Sequence, residues 1–179
     1  MADQTTHLYL AGRPTSDDGL LQYLDAPRRY MRYLREAVPA MRFMLYQSGG
    51  QRGSDGVTVA ESMRRWLLRH GLPDGVTLIL IDGDMSPAAA LAEFRRQTGD
   101  VDAVVYCEHT RRFITEARCR ALFTRCQVRG VDFDQEALRW HNRLWRYTMG
   151  YALARLSDTS PDVALAREVL REFRHRLVA

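Results

Sequence analysis

Short apolar runs alternate with longer stretches of helical periodicity over the first 133 residues of the chain. Residues 7–12 (HLYLAG) read as a first strand closed by a glycine, and residues 41–48 (MRFMLYQS) as a second, closed by Gly49 and Gly50. Between them, residues 27–38 place Tyr30, Leu34 and Val38 on one face and arginines on the other, which marks an amphipathic helix. Residues 51–56 form a polar, glycine-rich loop. A helix follows over 58–70, capped by Thr58 and ended by Gly71 and Pro73. Residues 77–82 (TLILID) and 102–107 (DAVVYC) are apolar almost throughout, as parallel strands covered on both faces are. Ser86 caps the helix between them, with Pro87 in its first turn and Gly99 at its end. Residues 110–124 read as a further helix and 127–133 as a weaker fifth strand. Beyond Asp134 the alternation stops, and 136–156 and 161–177 read as two helices.

Strand and helix alternating in this way predict βαβ units. The expected fold is α/β and Rossmann-like, a three-layer parallel sheet with helices on both faces and a C-terminal helical extension. The length suits one domain over residues 1–179, with its core at 7–133 and the extension at 136–177. In such sheets ligands bind outside the carboxyl ends of the strands, near a topological switch point. That rule selects the loops at 12–18, 48–56, 82–86 and 108–112.

Composition narrows the partners. No apolar run approaches the ~18 residues of a membrane span, and the polar N-terminus lacks the apolar segment of a signal peptide. A cytoplasmic protein with no membrane partner is expected. The net charge of +4 rests on 26 basic residues, all of them arginine. They are spread over nearly every segment, and the pairs Arg64–Arg65, Arg95–Arg96 and Arg111–Arg112 fall within amphipathic helices. Solvated faces and a GC-rich bacterial codon usage explain this better than a nucleic-acid footprint. Three cysteines without a CxxC spacing point to free thiols, with Cys107 buried in an apolar run.

Three loops carry candidate chemistry. Ser48-Gly49-Gly50 follows a buried strand, where glycines let the backbone approach a ligand and turn amides towards an anion. A tight turn explains the same residues, and neither a P-loop nor a GxGxxG spacing is present. Glu108-His109-Thr110-Arg111-Arg112 puts a proton-shuttling imidazole at a strand mouth and a guanidinium in the first helical turn. An exposed loop histidine beside a surface arginine is the plainer alternative. Asp82 and Asp84 suit Mg²⁺ or ribose hydroxyls, or simply a turn. No HxxxH or HExxH pattern supports a transition metal, and no GxSxG elbow supports a hydrolase triad. The aromatic stripe of Trp140, Trp145, Tyr147 and Tyr151 suits core packing or the docking of a partner subunit.

In this order the elements resemble the ElyC/SanA/YdcF family of bacterial Rossmann-like domains. The resemblance spans about residues 8–123. It rests on Ser48-Gly49-Gly50, on the helix with Ala60-Glu61-Ser62-Met63 and Trp66-Leu67 ending in Gly71-Leu72-Pro73, on Ser86, and on His109 with Arg112 three residues later. Arg29 takes the place of the family's arginine on the first helix. The chain departs from the pattern at Val59, where the family has an acidic residue, and at Ala89 and Ala92, where it has a threonine and an asparagine. The resemblance implies a nucleotide-like ligand, with S-adenosylmethionine suggested for some members as the cofactor.

Two functions are therefore expected in competition. The first is a small-molecule enzyme of bacterial specialised metabolism, performing transfer or elimination on an anion-bearing ligand. Its pocket would comprise Gly12, Arg13, Ser48, Gly49, Gly50, Ser86 and Arg112, with His109 as acid or base. The second is a non-catalytic accessory subunit with a partly degenerate site, forming a homo- or hetero-oligomer through the aromatic C-terminal helix. A regulatory nucleotide binder without chemistry is the third reading.

Overall fold

A computed structural model describes residues 5–12, 17–50, 56–81 and 85–131, with the backbone alone at 17–19, together with the isolated positions 148, 152 and 156. The chain divides into two compact units, Met1–Gln135 and Glu136–Ala179. The first unit runs β1 (Thr5–Ala11), α1 (Asp17–Ala37), β2 (Arg42–Ser48), α2 (Val59–His70), β3 (Val76–Ile81), α3 (Pro87–Thr98), β4 (Ala103–Glu108), a 3-10 turn (His109–Arg111), α4 (Arg112–Leu122) and β5 (Cys126–Val131).

All five strands are parallel, in the order β3-β2-β1-β4-β5. Parallel strands are sandwiched between helices and need apolar side chains on both faces, which the sequence runs supply. Leu8, Leu10, Phe43, Leu45, Val104 and Tyr106 pack on one face with Leu20, Leu24 and Met31 of α1 and Met63 and Leu67 of α2. Tyr9, Tyr46, Ile81, Val105 and Cys107 pack on the other with Leu91 and Phe94 of α3 and Cys119 of α4. Every residue of β4 is buried, and the central strand of the order is β1. The chain steps outward from β1 to β2 to β3, then returns through α3 to lay β4 on the free side of β1. The switch point of the fold is thus the β1–β4 boundary.

One element differs from its sequence reading. The expected helix at 27–38 starts ten residues earlier, at Asp17, and carries Pro27 in its interior. An interior proline costs about 3 kcal/mol because it removes a backbone hydrogen bond. Burial offsets that cost, since Leu20, Tyr23, Leu24 and Met31 continue one apolar stripe across the proline. Tertiary packing overrides the local start signal here.

The next residue, Arg28, ties α1 to the end of α2. Its guanidinium donates to the carbonyls of His70 (2.6 Å) and Gly71 (3.1 Å) and lies 5.4 Å from the Trp66 ring centroid. Those carbonyls belong to the last turn of α2, where no intrahelical donors remain and the dipole is negative. The neighbouring Arg29, by contrast, projects outward and pairs with Asp25 at 3.0 Å.

In the second unit Ala152 donates to the carbonyl of Thr148, one helical bond within the predicted 136–156 helix. The rest of the two C-terminal helices, with Trp140, Trp145, Tyr147 and Tyr151, lies outside the described residues. Among the described residues no helix is long and apolar enough to cross a membrane.

Candidate functional site

The strand order brings the ends of β1, β2 and β4 side by side at one edge of the sheet. Gly12 follows β1 there, Ser48 to Gly50 end β2, and His109 follows β4. Gly12 and His109 thus follow neighbouring strands, one on either side of the switch point. Ser86 comes five residues after β3, on the far side of β2 from β1, and residues 82–84 between them lie outside the described residues.

Gly12 is a glycine for a steric reason. A Cβ there would meet the carbonyl oxygen of Ser48 at 1.9 Å and the Gly49 Cα at 2.9 Å, so the two strand-end loops touch backbone to backbone. Gly49 adopts φ +142°, and a Cβ on it would press on Val59 at 3.0 Å. The backbone of Gly49 also fixes the entrance of α2, its carbonyl accepting from the Ala60 amide at 3.1 Å.

Tyr23 closes the floor of the switch point. The β1–β4 ladder stops at the pair Leu10–Tyr106. Just beyond it, the Tyr23 hydroxyl lies 2.9 Å from the carbonyl oxygens of both Ala11 and Tyr106. Burial drives its pKa well above the usual tyrosine value, so it remains a donor. Tyr9 performs a related task on the other face, sharing a 2.5 Å hydrogen bond with the Ser48 hydroxyl. Neither tyrosine was singled out in the sequence, because each acts on a partner at least 12 residues away.

Three helix entrances at this edge, those of α2, α3 and the 3-10 turn leading into α4, are described with their side chains, and they differ. Thr58 caps α2 by accepting from the Glu61 amide (3.2 Å), and Ser86 caps α3 by accepting from the Ala89 amide (3.2 Å). Neither the 3-10 turn nor α4 has a side-chain cap. The Glu108 carboxylate sits at that third entrance, 4% exposed, accepting from the Thr110 hydroxyl at 2.7 Å. The Arg111 guanidinium lies 3.7 Å from its other oxygen. A buried carboxylate at a helix start is favoured by the exposed amides there. The sequence offers a signal for it, a lone acidic residue ending an otherwise apolar strand.

The residues expected to form the pocket divide accordingly. Gly12, Ser48 and Gly49 are in contact, with the half-buried Gly50 next along the chain and half-buried His109 one strand away. His109 lies against β5, where a Cβ on Gly130 would meet its Nδ1 at 3.0 Å. The Ser48 hydroxyl turns inward to Tyr9, and Ser86 is engaged as a cap. Arg112 leaves the mouth and donates to Glu116 at 2.7 Å on the surface of α4. Arg13, Asp82 and Asp84 lie outside the described residues. Of the three positions where polar groups were expected by resemblance, Val59 is buried against Gly49, while Ala89 and Ala92 are exposed on α3.

Among the described residues no group of three or more His, Cys, Asp or Glu is arranged to hold a metal ion. A shallow depression lined by Arg32, Arg35, Glu36, Pro73 and Asp74 lies at the opposite end of the sheet, where β3 begins. Compared with protein-family models, with curated proteins and with solved structures, the chain matches none.

Proposed function

We propose that the chain is a small-molecule enzyme that takes an anionic or nucleotide-like ligand at the carboxyl ends of β1, β2 and β4. The observation that carries this reading is the strand order, which sets the glycine-only contact of Gly12 with Ser48 and Gly49 beside the β1–β4 switch point. Backbone amides of the glycine loops would hold the anionic group, and the imidazole of His109 would give or take a proton. S-adenosylmethionine belongs to this ligand class, and transfer or elimination in bacterial specialised metabolism is the chemistry proposed.

A thermal-shift series over S-adenosylmethionine, S-adenosylhomocysteine, nucleotides and sugar phosphates tests the reading. A ligand at 100 times its Kd adds about 2.7 kcal/mol, which for a domain of this size raises the midpoint by about 5–10 °C. His109→Ala is then expected to abolish turnover while retaining most of that shift. Midpoints unmoved by every compound would refute the proposal.

A second reading has its own support. The hydroxyls of Ser48 and Ser86 and the guanidinium of Arg112 all have partners within the chain. An accessory subunit that keeps the scaffold but works by binding a protein partner accounts for that. Light scattering of the protein alone and mixed with products of neighbouring genes discriminates, a strict monomer that binds none of them speaking against it.

A further inference from the structure

His109 is held from two sides. Cys107, two residues before it, belongs to the layer covered by α3 and α4 and pairs with Gly130 of β5. Side chains alternate along a strand, so Glu108 turns to the opposite face. There its buried carboxylate accepts from the buried Thr110 hydroxyl at 2.7 Å, with Arg111 3.7 Å from the other oxygen. The residues before and after His109 are thus bonded to each other, which fixes the backbone between them.

His109 itself lies over Gly130. A Cβ on that glycine would meet the His109 Cα at 2.9 Å, its Nδ1 at 3.0 Å and its Cβ at 3.4 Å. Gly130 sits within β5 and lacks the positive φ of Gly49, so no backbone conformation calls for glycine there. The space taken by the imidazole does. Of the two ring nitrogens, Nδ1 is the one set against β5, while Nε2 is not among the atoms nearest the glycine.

We infer that Gly130, together with the Glu108–Thr110 bond, positions His109 so that Nε2 alone is presented to a ligand. This rests on the reading of His109 as the group that gives or takes a proton. A general base works only with its nitrogen within hydrogen-bond reach of the proton, and a shell of supporting residues keeps the ring in that place. Gly130 supplies the seat and Thr110 the clamp, both acting through His109 and not on the ligand. The reacting group of the ligand then approaches from the side of the ring away from β5.

The test is exhaustive modification of the intact chain by diethyl pyrocarbonate, which acylates either nitrogen of an imidazole, and both when both are open. Trypsin releases His109 on peptide 97–111, where it is the one histidine, and tandem mass spectrometry counts the groups it carries. One group is expected on native His109 and two after denaturation. Nitrogen-15 spectra of the labelled, modified chain should place the single group on Nε2. Gly130→Ala, which pushes the ring off β5, and Thr110→Ala, which opens the clamp, are each expected to take a second group, while Thr110→Ser should keep one. Should an alanine variant fail to fold, the native and denatured wild-type chains decide alone. Two groups on native His109, none at all, a single group on Nδ1, or one group persisting in either folded alanine variant would each overturn the inference. The proposed function fails separately, since a chain that no compound stabilises refutes the ligand reading whatever the adduct count.

Discussion

Replacing Gln47 by methionine should make this protein more stable, although it deletes a polar group beside the candidate site. Gln47 is the penultimate residue of β2, on the face covered by α1 and α2, between Leu10 of β1 and Leu80 of β3. Its side chain is 0% exposed, and neither its amide nitrogen nor its amide oxygen has a hydrogen-bond partner among the described residues. Leaving a buried polar group unsatisfied costs about 1–3 kcal/mol, while a near-isosteric apolar exchange in a core costs under about 1.5 kcal/mol. The difference favours methionine by about 1–2 kcal/mol, or a midpoint rise of about 2–8 °C at this chain length. Urea denaturation at neutral pH measures it directly, with an unchanged m-value showing that the two chains unfold from the same compactness. Gln47→Glu supplies the opposite arm. Burial disfavours a charged carboxylate, so this variant should lose stability, and lose more as pH rises above the carboxylate range. A methionine variant less stable than wild type by more than about 0.5 kcal/mol would refute the reasoning, because it would mean the amide is satisfied in solution.

Substitutions at two other positions test the scaffold. Arg28→Ala should cost about 2–4 kcal/mol in urea denaturation, because it removes two charge-assisted bonds to the α2 terminus and the stacking on Trp66. Arg28→Lys should recover less than half of that, since an ammonium cannot fork across two carbonyls; a loss under 0.5 kcal/mol in the alanine variant, taken as about the noise of surface changes, would refute the clamp. His7 has its pKa lowered by burial from the usual 6.5. The unfolded chain therefore binds the proton more readily, so this residue's contribution is complete above that value and is lost as pH falls below it. Denaturation midpoints at about pH 7.5 and 5.5 should separate for wild type and draw together in His7→Gln; equal pH dependence in both chains would dismiss the assignment.

The sheet was legible because its physics is local. A strand covered on both faces must be apolar at nearly every position, and TLILI and AVVYC announce themselves. The helix caps were equally plain, since Thr58 and Ser86 act within three residues of themselves. The start of α1 was hidden because Pro27 is a strong local signal for a helix start, and only packing against the sheet outweighs it. Gly12, Ser48, Gly49 and His109 could be placed at one edge from the alternation of elements alone. What the sequence conceals is which partner each side chain takes. Arg112 turns to Glu116, Ser48 turns to Tyr9, and Tyr23 reaches Ala11 and Tyr106 across 12 and 83 residues. The arginine that clamps the first helix is Arg28, one position from the Arg29 that resemblance pointed to.

The charge pattern of the strand mouth also orients any ligand on the proposed reading. A helix start attracts anions, and three of those at this edge, at α2, α3 and the 3-10 turn before α4, are described with their side chains. Two are closed by their own hydroxyl caps, at Thr58 and Ser86, and the third already holds the Glu108 carboxylate. An anionic group entering beside β4 would meet that buried carboxylate as a like charge, offset in part by the Arg111 guanidinium 3.7 Å from it. Among the described residues, the atoms that a Cβ on Gly12 or Gly49 would meet first belong to Ser48, Val59 and each other, none of them charged. The anionic end of a ligand therefore belongs on the Gly12–Gly49 side. On the same reading its uncharged or hydroxyl-bearing end would lie towards β4, on the side of His109. Such an orientation places the proton-transfer group at the end of the ligand away from its anion, which suits chemistry on a carbon or hydroxyl better than chemistry on the phosphate itself.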